Sequence, residues 1–323
     1  MAVYTKITDA EFSSALKLYN IGDFKLAKGI AEGVENTNYL LETTHNKYIA
    51  TIYEKRVNVN ELPFFLKLMQ HFSQDKIPSP LPVYAINGDL LQDIQGKKFS
   101  IVSFLSGKSV KRISNNHCFE LGKMLANMHN SSLSFEMSRE NNMSLPMWQE
   151  MFSEIKSKTD SFKVGISKEI EKSLSYIADK WAIAEKSNLP RGIIHADLFP
   201  DNVFFTDNKV TGVLDFYFAC NDFFVHDVAI TMNAWCFEHG CEFNITKARN
   251  LLRGYNSVRK FTDDELKMLP VFASGAAMRF LLSRLYDLIN RVEGAEVTPK
   301  DPTEYLKKLR FHMHIKSASE YGL

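Results

Sequence analysis

The sequence predicts an α+β protein of two lobes, a β-rich first lobe over 1–105 and a mainly helical second lobe over 106–323. Three observations carry this expectation. The 323 residues, 45% hydrophobic and 24% charged, are enough to build two cores. Apolar residues over 24–53 recur with the period of strands, whereas most apolar runs after Ser106-Gly107 have helical spacing. The exception after that break is 192–222, where short apolar runs alternate with polar turns.

Taken in order, Thr8-Asp9-Ala10-Glu11 reads as a capping box, with Phe12, Leu16 and Tyr19 at helical spacing and Gly22 as the stop. Residues 24–31, 38–43 and 47–53 read as an antiparallel meander, turned at Gly33–Thr37 and Thr44–Asn46. A helix over about 60–74 shows Leu62, Phe65, Leu66 and Met69 on one face. Three prolines hold 77–82 extended, and further strands are expected near 83–92, across Asn87-Gly88, and at 99–105. In the second lobe Cys118, Leu121, Gly122, Leu125, Met128 and His129 form a helical stripe, on which His129 reads as a core residue. Helices are expected at about 147–158, 168–186, 223–238, 246–255, 270–291 and 302–319. The last has Asp301 as N-cap, Pro302 at N1 and Glu304 at N3.

A formal net charge of +1 and a pI near 7.7 leave no electrostatic footprint for nucleic acid. The opening MAVYTKITDAEF lacks an apolar signal core, and no segment reads as the roughly eighteen apolar residues of a membrane span. The expectation is a cytoplasmic enzyme with a small-molecule substrate and neither nucleic-acid nor membrane partner. No signal points to an oligomeric state. Cys118, Cys220, Cys236 and Cys241 form no C-x-x-C pair, and Cys236, His239 and Cys241 fit no usual zinc spacing, so reduced buried thiols are expected.

The chemistry concentrates in 192–222. Ile193-Ile194 ends in His195-Ala196-Asp197, Asn202 follows five residues after Asp197, and the run Val210–Leu214 delivers Asp215. This spacing, H-x-D-x-x-x-x-N and then an Asp at a strand end, is a phosphotransfer signature. Asp197 is free to accept a hydroxyl proton, while Asn202 and Asp215 offer the hard oxygen ligands that Mg²⁺ prefers. Phe216 follows the metal-binding Asp and is expected to pack beneath the site. Tyr217, Asn221 and Asp222 lie just beyond, where they would line an acceptor pocket.

The form His195-Ala196-Asp197, with Leu198 and Pro200 inside the loop, resembles the small-molecule kinases of the aminoglycoside phosphotransferase and choline kinase superfamily. Along nearly the full chain the sequence resembles the homoserine kinases of that bilobal, protein kinase-like fold. The matching segments include GIAEGVENTNYLL at 29–41, HADLFPDNVFF at 195–205, LDFYFACND at 214–222, DVAITMNAWCF at 227–237 and DPTEYLKKLRFH at 301–312. The resemblance implies transfer from ATP, with Mg²⁺, to the hydroxyl of L-homoserine, a step of threonine biosynthesis. It implies Asp197 as catalytic residue beside His195, Asn202 and Asp215 as metal ligands, and a phosphate turn that includes Gly33, Asn36, Thr37 and Asn38. The adenine is expected at Ser103–Leu105, in particular at Ser103 and Leu105.

The chain departs from the wider kinase pattern in its third strand. There, Thr51 stands where a phosphate-binding lysine is expected. Either Lys47, Lys55 or Arg56 reaches in, or the Asn-Thr turn and the metal carry the phosphates. A zwitterionic acceptor calls for a cation at its carboxylate, and Arg279 is the candidate; an ion pair with an acid such as Asp227 is the alternative. Asp222 is the candidate for the ammonium, and Asp227 is expected to brace the catalytic loop. Two other functions remain open at this point: a kinase of a different alcohol (choline, an aminoglycoside or a sugar) and a non-catalytic nucleotide-binding module.

Overall fold

The computed structural model describes residues 4–30, 36–54, 58–291 and 299–323. The chain forms two compact units, the first made of Met1–Gly107 and Thr211–Leu214, the second of Lys108–Val210 and Asp215–Leu323.

Unit 1 is built on a five-stranded antiparallel sheet. Its strands are β1 (Phe24–Ile30), β2 (Thr37–Thr43), β3 (Lys47–Ile52), β4 (Gln92–Ile94) and β5 (Lys97–Ser103), in the order β1-β2-β3-β5-β4. Alternate residues of β2 point inward, burying Tyr39 and Leu41, and Leu41 packs in one core with Ala50, Ile52, Phe99 and Ile101. Helix α1 (Asp9–Leu16) opens with the expected reciprocal cap between Thr8 and Glu11 and sets Phe12 edge-on to Tyr39 at 4.9 Å. Helix α2 (Leu62–Gln74) buries Leu62, Phe65, Leu66 and Met69, as its periodicity requires.

The strand expected near 83–92 does not form; only β4 does. Pro82 makes one antiparallel bridge to Val102, and Val83 N–H donates to Ile101 O, but beyond that the backbone spends its hydrogen bonds elsewhere: Ala85 N–H donates to Asp89 O, Gly88 N–H to Ala85 O and Ile86 N–H to Leu18 O. Two local turn bonds and one to Leu18, just past α1, end the pairing with β5 at that single bridge.

Unit 2 holds the helices α3 (Asn115–Ser132), α4 (Leu145–Phe162), α5 (Ile166–Glu185), α6 (Phe224–Trp235), α7 (Ile245–Val258), α8 (Asp263–Ile289) and α9 (Thr303–His314). Helix α8 begins seven residues before the expected start, because Thr262 and Glu265 form a capping box and Pro270 is carried inside the helix. It is the one described helix long and apolar enough to cross a membrane, but 72% of its apolar window is buried inside the protein. A helix apolar on all sides is what the centre of a bundle requires. Around it Trp181 meets Phe272 at 4.4 Å and Trp148 at 5.2 Å.

Helices α3 and α7 approach through glycines. A Cβ on Gly122 would stand 2.0 Å from Leu251 O, and one on Gly254 would stand 2.1 Å from Phe119 O. Helix α9 starts at Thr303 with Pro302 as N-cap, and Asp301 accepts from Thr303 N–H at 2.8 Å rather than capping by itself. It stops at His314, short of the expected 319. A separate short turn, Ala318–Tyr321, is capped by Ser317 and Glu320.

The strands β6 (Arg191–Ile194), β7 (Val203–Thr206), β8 (Lys209–Val213) and β9 (Cys220–Phe223) occupy the middle of the chain. Asp207 and Asn208 both adopt positive φ, 48° and 64°, the pair of left-handed residues that a two-residue hairpin turn needs. β9 pairs antiparallel with β6, Ile194 opposite Cys220 and Arg191 opposite Phe223. This strand was not legible in the aromatic run 216–224.

Candidate active site

β6 ends by delivering His195-Ala196-Asp197 into a loop held from several sides. His195 N–H and Ala196 N–H donate to the two oxygens of Asp227, at 2.7 and 2.9 Å. Asp227 comes from the first turn of α6 and is fully buried. Ala196 sits at φ 62°, a left-handed conformation uncommon for a residue with a Cβ. Its carbonyl accepts from Arg279 Nη1 at 2.8 Å. Asp227 therefore braces this loop, as expected from the sequence.

The loop closes on itself through Asp197 and Asn202. Phe199 N–H donates to Asp197 O at 2.8 Å, and Asn202 N–H donates to Phe199 O at 3.0 Å. Asn202 Nδ2 donates to Asp197 O at 2.9 Å and to Asp197 Oδ2 at 3.3 Å. Trp235 Nε1 ties down Leu198 O at 2.8 Å. Because both bonds of the Asn202 amide to Asp197 use its nitrogen, its Oδ1 is left available as an oxygen ligand.

Asp215 follows β8 at φ 61° and ψ 67° and is exposed. Phe216, 2% exposed, lies 5.0 Å from the His195 ring, the place under the site expected of it. An amide oxygen and an exposed carboxylate are the hard donor types that suit Mg²⁺ sharing its coordination with phosphates and water. Among the described residues no group of three or more His, Cys, Asp or Glu side chains is gathered as a set of metal ligands.

Burial pushes the Asp197 carboxyl above its ordinary pKa, and the charges of Arg279, His195 and Lys300, in that order, pull it back in part. Burial lowers the pKa of Arg279, and Asp197 is the first charge to oppose that. Each is thus the leading charged neighbour of the other. Arg279 is 2% exposed and lies over the rings of Phe280 at 4.8 Å and Phe218 at 5.5 Å. It makes no ion pair with Asp227. Lys300 had no motif to single it out; only the fold places its charge on Asp197.

Asp222 is engaged on both oxygens. Asn141 Nδ2 and His226 Nδ1 meet Oδ2 at 2.5 and 3.1 Å, and Phe223 N–H donates to Oδ1 at 2.7 Å. Burial raises its pKa, but His226 and these hydrogen bonds outweigh that and keep it below the ordinary carboxylate range. Asp222 also borders a pocket of about 310 Å³ with Arg139, Asn141, Trp181, Arg191 and Asn221. Tyr217 lies half-buried in the short helical turn Phe216–Phe218. The clamp from 139–141, in which Arg139 N–H donates to Asn221 Oδ1 at 2.8 Å, had no signature in the sequence.

In unit 1, Gly33 lies outside the described residues, as do Lys55 and Arg56. Thr37 is fully buried; its hydroxyl donates to Glu54 Oε1 at 2.7 Å and accepts from Tyr4 N–H and Thr5 N–H. Asn36 Oδ1 accepts from Glu54 N–H at 3.3 Å. Glu54 pairs in turn with Lys97. Asn38 stands opposite Thr51 in the sheet, and the Thr51 hydroxyl donates to Asn38 Oδ1 at 2.8 Å. Lys47 pairs with Glu42 at 2.9 Å on the surface. Ser103 is tied to Leu81 through both its N–H and its hydroxyl, and Leu105 lies half-buried just past the end of β5.

The family described as "Phosphotransferase enzyme family" matches residues 27–261 of this chain. The chain belongs to that family. Among curated relatives, this phosphotransferase is 47% identical to the homoserine kinase of Sinorhizobium fredii over 323 residues, covering 100% of this chain and 98% of the relative. It is 48% identical to the homoserine kinase of Parvibaculum lavamentivorans, with 100% and 99% covered. Among solved structures, the phosphotransferase resembles an amicoumacin kinase in complex with AMP-PNP and Ca²⁺, at TM-score 0.70 and 17% identity over 96% of this chain and 93% of that one. It also resembles a spectinomycin phosphotransferase in complex with ADP and spectinomycin, at TM-score 0.68 and 14% identity over 98% of both chains. At such identities these two likenesses speak for the fold, a phosphotransferase fold with an antiparallel N-terminal sheet and a helical C-terminal part.

Proposed function

We infer that this phosphotransferase is a homoserine kinase, which moves the γ-phosphoryl group of ATP to the hydroxyl of L-homoserine and forms O-phospho-L-homoserine and ADP. The observation that carries the reading is likeness along the whole chain, 47% and 48% identity, to curated homoserine kinases. The phosphotransfer residues His195, Asp197, Asn202 and Asp215 support it, since all stand in one braced stretch of unit 2. The product places the enzyme in threonine biosynthesis.

In this reading Asp197 accepts the hydroxyl proton of the acceptor. The acceptor oxygen forms its bond to the γ-phosphorus as the bond from that phosphorus to the β–γ bridging oxygen breaks, and ADP leaves with the electron pair. A carboxylate made more basic by burial suits that task. The amide oxygen of Asn202 and the carboxylate of Asp215 would hold Mg²⁺. When bound, the ion neutralises charge on the phosphates.

For the nucleotide, the hydrogen bonds support a neutral phosphate site in place of the missing lysine. The Thr51 hydroxyl occupies Asn38 Oδ1, which leaves the Asn38 amide donors to face a ligand. Asn36 and Thr37 are bound up with Glu54 and frame the start of β2, where Asn38 stands. The backbone around Ser103–Leu105 takes the adenine.

Release of ADP from Mg·ATP, assayed across homoserine, serine, threonine, choline and kanamycin, tests the function. Turnover with homoserine is expected. Turnover confined to choline or kanamycin would assign the acceptor to another class, and no turnover with any alcohol would point to a non-catalytic module.

A further inference from the structure

We propose that Arg279 acts as a positioning residue, which holds the Ala196–Asp197 peptide so that the Asp197 carboxylate keeps its place, and that it does not bind the acceptor's carboxylate. The inference rests on the kinase reading of Asp197.

The geometry is a two-sided clamp on one residue. Asp227, from α6, takes the N–H of Ala196 at 2.9 Å. Arg279, from α8, gives a hydrogen bond to the carbonyl of the same residue at 2.8 Å. An anion and a cation thus fix the two peptide groups that flank Ala196. That residue needs fixing: at φ 62° an alanine is held in a sparsely populated conformation, which persists where its surroundings over-determine it. The carbonyl that Arg279 holds belongs to the peptide bond leading directly into Asp197, so its orientation sets the direction in which the carboxylate leaves the backbone.

The rest of the guanidinium argues against a ligand role. Arg279 is 2% exposed, flanked by Phe280 and Phe218, and Nη1 is already committed. Its Nε has no hydrogen-bond partner and is itself buried. Two-point recognition of a carboxylate needs a pair of N–H groups facing the incoming ligand. Here one such edge is closed off from solvent. The charge instead faces inward, and Arg279 and Asp197 are each other's leading charged neighbours.

The test compares two acceptors, homoserine and 3-aminopropan-1-ol, which is homoserine without its carboxylate. Wild-type enzyme and Arg279→Lys are assayed with each, and kcat is expressed per site able to bind AMP-PNP, so that unfolded protein does not count. The expected result is a fall of about 100-fold in kcat per site, the scale of an ångström misplacement of a reacting group. It should be equal for both acceptors and leave KM for homoserine within about two-fold of wild type. A rise in homoserine KM with no loss towards 3-aminopropan-1-ol would make Arg279 a carboxylate ligand and overturn the proposal. An unchanged kcat per site would make it packing alone and overturn it too. If Arg279→Lys yields no nucleotide-binding protein, Phe218→Leu loosens the cage more gently. A several-fold, acceptor-independent loss of kcat then supports the proposal, and none overturns it. Failure of the wild-type enzyme to use homoserine would strike the functional reading instead, and the same comparison would then be made with the acceptor that the assay identifies.

Discussion

His129 and Asp227 meet inside unit 2, Nε2 to Oδ2 at 3.1 Å, with neither side chain exposed to solvent. His129 Nδ1 bonds in turn to the Tyr255 hydroxyl at 2.7 Å. The same Asp227 holds the loop before Asp197, so a buried chain of three side chains ends on the catalytic backbone. Replacing Asp227 with Asn puts a donor where at least one of three donors now binds. A loss of roughly 3 kcal/mol in unfolding free energy is expected, because a buried donor loses its acceptor. Turnover per folded molecule should fall with it. A urea melt and a turnover assay on the same sample check both, and wild-type values would show that the brace is dispensable.

Asp197→Asn and Asp215→Asn should fail in different ways. The first removes the base and should cut kcat by about 10²–10⁴-fold while Mg·ATP still binds. The second should raise the Mg²⁺ concentration needed for half-maximal nucleotide binding. Calorimetric titration of each variant with Mg·ATP separates them. Equal loss of nucleotide binding in both would count against the division of roles.

Acid should destabilise the fold before the carboxylates titrate. His312 is buried between Tyr321 and Asn233, and burial, helped by the charge of Lys308, pushes its pKa down to about 3. His129 is shifted in the same direction, chiefly by burial. Between about pH 6.5 and 3 the unfolded chain therefore binds a proton at His312 that the native chain refuses. Stability falls as pH falls through that window, by about 1.4 kcal/mol per pH unit from His312 once the unfolded histidine is protonated. Urea midpoints at pH 7.5, 6.5 and 5.5 should decline progressively, and the decline should be shallower in His312→Gln. A flat midpoint would mean that the native protein takes up the proton freely.

Gly122 and Gly254 set how closely α3 and α7 can pack. A methyl group at Gly122 would meet the backbone oxygen of Leu251, which cannot rotate away as a side-chain end can. Gly122→Ala should cost about 1–3 kcal/mol even though alanine has the higher helix propensity. A thermal melt that rises instead would show that the two helices have room to separate.

Much of this was legible in the sequence because it depends on local rules. The capping boxes at Thr8, the β2 alternation and the His195–Asn202 spacing each announce their geometry within a few residues. Asp227 could be read as a brace from its helical neighbours and the loop that it had to serve. The parts not legible depend on distant partners. Residues 83–92 read as a strand, but after Val83 N–H donates to Ile101 O their hydrogen bonds go to a turn and to Leu18. β9 hides in an aromatic run because it is made a strand only by pairing with β6. Arg279 could be seen as a charge out of place in an apolar helix. Its partner, a backbone carbonyl 83 residues earlier, carries no sequence signal at all.

Residues 211–214 have a consequence for the order in which the protein can fold. They belong with unit 1, where Thr211 Oγ1 donates to Ser106 O at 3.0 Å and Val213 N–H to Pro78 O at 2.7 Å. The amino-terminal unit is synthesised first but is not complete until Leu214 has left the ribosome, about two-thirds of the way along the chain. Until then the Ser106 and Pro78 carbonyls lack these donors, and the nascent unit must wait with that edge unfinished. A chain released at Gly107 should accordingly be less protected from proteolysis than the same residues in the full-length protein.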